Sequence, residues 1–255
     1  MSLKTCSKEN IIYGKHSVLE ALQANKRTIT KIIILNNIAQ GKIVESIIKI
    51  AKKRGINIYR NNKKLIGTQL YKKSQGIIAQ ISNIQYLNLT DLITRVKKYA
   101  KYPILVISDG ITDPHNLGAI IRNCVAFGVH GIIIPKRNNA SINETVVKVS
   151  VGATEHILIS KIININHSIK VLKANGFFVI GTVIGKYEEI NNIKLYFPLV
   201  IILGNENHGI HFSTKKQCDK LISISQYNSQ ITSLNVSCAS AIILYEISKQ
   251  KKPVI

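Results

Sequence analysis

An arginine six residues after an asparagine, a carboxylate bracketed by two glycines, and a serine two residues before an asparagine are the side chains best placed for polar chemistry in this sequence. The first stretch runs Asp109-Gly-Ile-Thr-Asp-Pro-His-Asn-Leu-Gly-Ala-Ile-Ile-Arg122. Asp113 followed by Pro114 reads as a helix start, an N-cap oxygen with proline at the first helical position. Capping does not explain Asn116 and Arg122, which lie about 120° apart around a helix of 3.6 residues per turn. Arg122 sits among Ala119, Ile120, Ile121, Val125 and Ala126, so its guanidinium is expected to be buried against an anionic partner. The second stretch, Leu199-Val-Ile-Ile-Leu-Gly-Asn-Glu-Asn-His-Gly209, is a buried strand ending in a loop that holds Glu206. Ligands of open α/β sheets bind at such strand ends, although the loop alone also reads as an ordinary polar turn. In the third stretch a strand at Leu221 and a long polar loop lead to Ser233-Leu-Asn-Val-Ser237 and an apolar helix to about Ile247, so Ser233 also reads as a helix cap.

These side chains need a framework, and the apolar pattern supplies one. Helices are predicted at His16 to Gln23 and Lys42 to Lys53, with strands at Lys31 to Leu35, Ile56 to Tyr59 and Gly76 to Ile81. That makes a small α/β domain over 10–84. A polar, lysine-bearing stretch over 85–102 reads as a linker. Pro103 then opens a second domain, 103–252, with apolar runs at Ile104 to Ile107, Gly131 to Pro135, Ile157 to Ile159, Phe177 to Val183, Leu199 to Leu203 and Leu221 to Ile224. Their alternation with helical segments predicts a parallel sheet covered on both faces. No G-x-G-x-x-G follows a strand, and Gly204 to Gly209 lacks a P-loop ending, which disfavours dinucleotide and NTP enzymes.

Composition narrows the partner. The 255 residues are 45% hydrophobic and carry a formal net charge of +22. Residues 1–100 hold 19 basic and 4 acidic side chains, whereas 101–255 hold 16 and 9. Biased codon usage would spread its lysines evenly; the asymmetry favours a basic N-terminal module whose cations release counterions from a polyanion such as RNA. No apolar run is long enough for a membrane span and Met1 to Ser17 lacks a signal-peptide core, so a cytoplasmic protein is expected. Cys6, Cys124, Cys218 and Cys238 form no C-x-x-C pair and read as reduced, mostly buried thiols. His208 and His211 share a helical spacing but have no third ligand nearby, so no metal is expected.

In this order the three stretches resemble the SpoU (TrmH-like) family of the SPOUT superfamily, whose motifs read approximately D-P-x-N-x-G-A-x-x-R, G-x-E-x-x-G and S-L-N-x-S. Lys148-Val-Ser-Val-Gly-Ala153 is similar to the family's intervening sequence. Tyr13-Gly-Lys-His-Ser-Val-Leu-Glu-Ala-Leu22 and Ser74-Gln-Gly-Ile-Ile-Ala79 resemble the N-terminal domain of bacterial 23S rRNA guanosine methylases. The chain departs from the pattern at His208, where many relatives carry Lys or Arg, and at Ser225-Gln226, where Pro-Met is common.

The resemblance implies an L30e-like α/β substrate-binding domain followed by a SPOUT α/β catalytic domain with a C-terminal trefoil knot, involving the strands at Leu199 and Leu221 and the last helix. It implies S-adenosylmethionine as methyl donor, contacted by Gly204, Ile224 and Leu234, and a homodimer formed through the catalytic domain. The acceptor would be a ribose 2'-hydroxyl, of a guanosine in 23S rRNA by the N-terminal signatures. A tRNA ribose methylase and a catalytically silent RNA-binding assembly factor are the alternatives. Arg122 would stabilise the developing alkoxide or grip the adjacent phosphate, since a guanidinium is a poor base. Asn116, Glu206, Ser233 and Asn235 would orient it and the ribose or shape the donor pocket. Lys52, Lys53, Lys63, Lys64, Lys72 and Lys73 could track phosphates.

Overall fold

A computed structural model describes residues 11–36, 38, 41–61, 72, 74–205, 208–227 and 233–250. The chain divides into two compact units, the first made of 1–85 together with 142–156, the second of 86–141 and 157–255.

In the first unit, β1 (Ile11–Tyr13), α1 (Lys15–Ala24), β2 (Ile29–Leu35), α2 (Lys42–Lys53), β3 (Asn57–Asn61) and β4 (Ile77–Ile81) form a sheet of order β1-β4-β2-β3 with its helices. Strands β1 and β4 are antiparallel, as are β4 and β2, while β3 runs parallel to β2. Helix α2 reads true to its pattern: Val44, Ile47 and Ala51 point into the core while Lys42, Lys49, Lys52 and Lys53 face solvent. Residues 142–156 join this core although the sequence assigns them to the second domain. Val147 of α5 (Glu144–Val149) packs with Ile12, Val18 and Leu22, and its carbonyl accepts from the Ser17 hydroxyl.

A buried ion pair secures this returning segment. Arg27 Nη1 lies 2.8 Å from Glu155 Oε1, with side chains only 6% and 2% exposed, and Arg27 Nε donates to the Ser82 carbonyl at 2.7 Å. Removing one partner strands a buried charge, which costs roughly 3–5 kcal/mol. Glu155→Ala is therefore expected to lower the stability of this unit by about that amount in chemical denaturation, and Glu155→Gln by less. An unchanged midpoint for Glu155→Ala would show the pair to be dispensable.

The second unit is a six-stranded sheet of order β10-β8-β9-β5-β6-β7, parallel at every pairing. Its strands are β5 (Ile104–Asp109), β6 (Gly131–Pro135), β7 (Leu158–Ile162), β8 (Phe178–Thr182), β9 (Leu199–Gly204) and β10 (Lys220–Ile222). Helices α3 (Leu89–Tyr99), α4 (Pro114–Ala126), α6 (Ile165–Ala174), α7 (Phe212–Lys215) and α8 (Val236–Gln250) connect or cover them. Leu105, Ile107, Val179, Val200 and Ile202 pack against Leu92 and Val96 of α3 and Ile169 and Leu172 of α6. The alternate residues Ile104, Val106, Ile180 and Ile201 are buried as well, so both faces are covered, as the strand pattern predicts.

The stretch 85–102, expected as a linker, holds α3. Leu92, Ile93 and Val96 are buried, and Asn88 caps the helix by accepting from Asp91 N at 2.8 Å. Its lysines are a solvated face over an apolar one. Among the described residues no helix is long and apolar enough to cross a membrane.

Candidate functional site

The chain leaves β5 in one direction to build β6 and β7, then returns to the other side to build β8, β9 and β10. This reversal makes the C-terminal ends of β5 and β9, where Asp109 pairs with Gly204, the point at which loops diverge and leave a crevice.

The loop after β9 folds back on its own strand. Asn205 N donates to the Gly209 carbonyl at 3.0 Å and Gly209 N to the Asn205 carbonyl at 2.8 Å. A Cβ on Gly204 would fall far inside van der Waals contact with the Gly209 carbonyl carbon and Ile210 N, so only glycine admits this turn. Two further bonds hold the loop to the end of β5: Asn205 Nδ2 donates to the Gly110 carbonyl at 2.9 Å, and His211 N donates to Asp109 Oδ2 at 3.0 Å. Glu206 lies outside the described residues.

Beside this loop a cavity of about 740 Å³ opens at the ends of β8, β9 and β10. Gly204, Ile224, Ser233 and Leu234, from two of the three motif stretches, line it together. Thr182, Lys186, Tyr187 and Ser223 line it too; sequence reasoning missed them, though each lies at or beyond the C-terminal end of a strand. Ser223 Oγ accepts from Tyr187 N at 3.1 Å and donates to the Tyr187 carbonyl at 3.2 Å, joining the loops after β8 and β10. Ser225 and Gln226, the departures from the family pattern, are also in the wall.

The remaining motif residues meet outside the cavity. Asp113 caps α4, accepting from His115 N at 2.9 Å. On the following turn Asn116 Oδ1 accepts from Asn235 Nδ2 at 3.0 Å, across 119 positions of sequence. Asn235 Oδ1 accepts in turn from Ser237 N at 2.9 Å and from the Ser237 hydroxyl, so Asn235, not Ser233, fills the capping role at α8. Asn123 Nδ2 donates to the Ser237 carbonyl and to Ser240 Oγ, both at 2.9 Å, fastening α4 to α8.

Arg122 corrects an expectation. Leu117, Ile120, Ile121 and Cys124 form the buried side of α4, and Arg122 projects from the other side, exposed and without an ion pair among the described residues. Apolar neighbours in sequence are not neighbours in space on a helix. Two thiols are poor nucleophiles: burial pushes Cys218 up to about 12, with Lys173 only partly offsetting it, and raises Cys124 as well, while Cys6 lies outside the described residues. Cys238 is exposed, against the expectation of burial. His211 is structural, its Nδ1 2.9 Å from Ser213 Oγ at the start of α7.

Known proteins share this fold. Residues 103–245 match the SpoU rRNA Methylase family, and residues 11–87 match the family described as RNA 2'-O ribose methyltransferase substrate binding. The 23S rRNA (guanosine-2'-O-)-methyltransferase RlmB of Blochmanniella floridana is 34% identical over 95% of this chain and 95% of its own length. An uncharacterised tRNA/rRNA methyltransferase of Synechocystis is 38% identical over 95% of this chain, which spans 63% of that longer protein. Among solved structures, the SpoU methyltransferase AviRb of Streptomyces viridochromogenes superposes with a TM-score of 0.78 at 20% identity, covering 96% of this chain and 90% of that one. The AdoMet-bound rRNA methyltransferase of Sinorhizobium meliloti gives 0.77 at 24% identity, covering 96% and 89%. With the motif residues gathered at one sheet end and the match extending over most of its length, the chain belongs to the SpoU methylase family.

Proposed function

We propose that the chain transfers a methyl group from S-adenosylmethionine to the ribose 2'-hydroxyl of a guanosine in 23S rRNA. The observation that carries this reading is the convergence of Gly204, Ile224, Ser233 and Leu234 on one cavity. Its volume of about 740 Å³ suits a cofactor-sized ligand, for which pockets run to roughly 300–1,000 Å³. Ile222, Ile224 and Leu234 offer apolar walls for an adenine and the methylene chain, and Thr182 and Ser233 offer hydroxyl oxygens to the sugar and amino-acid ends. When bound, the donor supplies a methyl already activated by a positive sulfonium, so no acid is needed at the leaving group.

The protein's part is to place the acceptor and stabilise its charge. Orientation of the hydroxyl in line with the methyl is worth several kcal/mol. The Asn116–Asn235 bond fixes the first turns of α4 and α8 and with them the origin of Arg122. Arg122, a cation with forked donors, stabilises the alkoxide that develops as the 2'-proton passes to water, or holds the neighbouring phosphate. Glu206 is assigned an orienting role by its motif position alone.

A homodimer through the catalytic unit fits the exposed stripe of α8, where Cys238, Ile242 and Tyr245 follow Leu234 at helical spacing; Ile242 is 42% and Tyr245 50% exposed. A second copy on that stripe would bury it and close the exposed Arg122 into a site built from both chains. The knot implied by the family's motifs belongs to the same reading, as does a cytoplasmic location, where rRNA is met.

On the first unit, Lys49, Lys52, Lys53 and Lys72 are exposed; Lys63, Lys64 and Lys73 lie outside the described residues. Replacing Lys49, Lys52 and Lys53 with glutamine is expected to weaken RNA binding and to flatten the slope of log K against log salt by about 0.7–0.9 for each phosphate no longer neutralised. Filter binding across a salt series checks this, and an unchanged slope removes α2 from the RNA-binding surface. The reading as a whole is tested by incubating the chain with labelled donor and separate pools of unmodified rRNA and tRNA, then mapping nucleosides. Label in 2'-O-methylguanosine of the large-subunit rRNA is expected. Label confined to tRNA would favour the tRNA reading, and binding of both RNAs without label would leave an assembly factor.

A further inference from the structure

Because every strand of the second sheet runs in one direction, its two ends are chemically distinct. The cavity occupies the C-terminal ends of β8, β9 and β10. At the opposite ends, five aromatic rings cluster ahead of three adjacent strands: Phe178 opens β8, Tyr196 and Phe197 precede β9, and Tyr99 and Tyr102 precede β5. Ring pairs between the loops knit them together. Phe178 meets Tyr196 edge to face at 5.4 Å, and Tyr102 meets Phe197 at 5.3 Å. Lys97 Nζ ties α3 to the turn before β8 by donating to the Asn175 carbonyl at 2.9 Å.

Two of these rings stand largely in water, Tyr99 at 77% and Tyr196 at 55% exposure. Lysines are interleaved with them: Lys98 lies 5.3 Å from the Tyr99 ring centre, Lys101 5.6 Å from Tyr102 and Lys194 5.7 Å from Tyr196. Asp219, which precedes β10 at this end of the sheet, is paired with Lys173 at 2.6 Å. Lysine is depleted from the cores of protein interfaces, whereas exposed rings set among cations are what a single-stranded nucleic acid uses: every base has a face to stack, and every phosphate needs a cation.

We propose that this end of the sheet is a second RNA-binding face. It takes a single-stranded segment, with bases stacked on Tyr99 and Tyr196 and phosphates on Lys98, Lys101 and Lys194. It is not the acceptor subsite, because the six residues of β9 hold it about 17 Å from the cavity. An RNA engaging both ends must run along the depth of the domain. The proposal rests on the chain being an RNA-binding protein, but not on methyl transfer.

The test uses the full chain and fluorescence anisotropy with a labelled single strand of about a dozen nucleotides and a duplex of equal length. Tyr99→Ala/Tyr196→Ala is expected to weaken the single strand about tenfold or more while changing the duplex little. Tyr99→Phe/Tyr196→Phe keeps both rings and is expected to bind like the parent. Lys98→Gln/Lys101→Gln/Lys194→Gln is expected to reduce the salt slope by about two. None of these residues lines the cavity, and the thermal unfolding midpoint serves as the folding control. The proposal is overturned if the alanine pair binds the single strand as the parent does, or if the ring-retaining pair loses as much as the alanine pair. It is also overturned if light scattering shows only a change of oligomeric state, with single-strand affinity intact, since the face would then meet protein. If the parent chain binds no RNA at all, it is the RNA reading itself that fails.

Discussion

Arg122→Ala is expected to slow methyl transfer about a hundredfold or more while S-adenosylmethionine affinity stays near that of the parent chain. The two effects separate because of where the side chain stands. Arg122 is on α4, whose first turn is bonded to Asn235, whereas the cavity is lined from the ends of β8, β9 and β10. Removing the guanidinium takes away charge stabilisation at the acceptor without touching the cavity wall. Its exposure also means that truncation leaves no cavity in the core and little loss of stability. Arg122→Lys keeps the charge but not the forked donors, and an intermediate rate would indicate a two-point grip on the ribose or phosphate. Single-turnover rates with saturating donor, beside calorimetric donor titration, read both quantities. Loss of donor binding together with the rate would contradict this division of labour.

Gly204→Ala is expected to do the reverse, removing detectable donor binding and lowering stability by about 1–3 kcal/mol. The added methyl would collide with the Gly209 carbonyl carbon and Ile210 N, which are backbone atoms and cannot rotate away. The paired Asn205–Gly209 bonds would have to open, and with them the turn that forms one side of the cavity. Gly41→Ala is the matching control, since a Cβ there meets nothing within 4 Å. If Gly204→Ala titrates with donor as the parent does, the loop does not shape the donor site.

How much of the fold is legible in the sequence depends on whether a residue's neighbours in space are also its neighbours in the chain. Helix α2 and the apolar strands β5, β6 and β9 can be read because period and burial agree along a single segment. Helix α3 is hidden because the charge of Arg95, Lys97 and Lys98 masks an apolar side of Leu92, Ile93 and Val96. Residues 142–156 cannot be assigned from sequence to the first unit, because the partners that hold them, Arg27 for Glu155 and the core around Val18 for Val147, lie more than a hundred residues away.

At the site, the motifs point to Gly204, Ile224, Ser233 and Leu234, which meet in one cavity. Asn116 and Asn235 belong to separate motifs and bond each other. The burial of Arg122 is misread from sequence, because residues flanking it in the chain project toward the core while it does not. Lys186, Tyr187 and Ser223 carry no motif; only the shared strand ends of β8 and β10 disclose them.

The most direct measurement of the central claim is calorimetric titration of the purified chain with S-adenosylmethionine, repeated in competition with S-adenosylhomocysteine. Saturable binding at one site per chain, displaced by the demethylated product and lost in Gly204→Ala, is the expected result. Absence of binding heat at any temperature, with or without transcript, would mean that the cavity at the ends of β8, β9 and β10 does not hold a methyl donor.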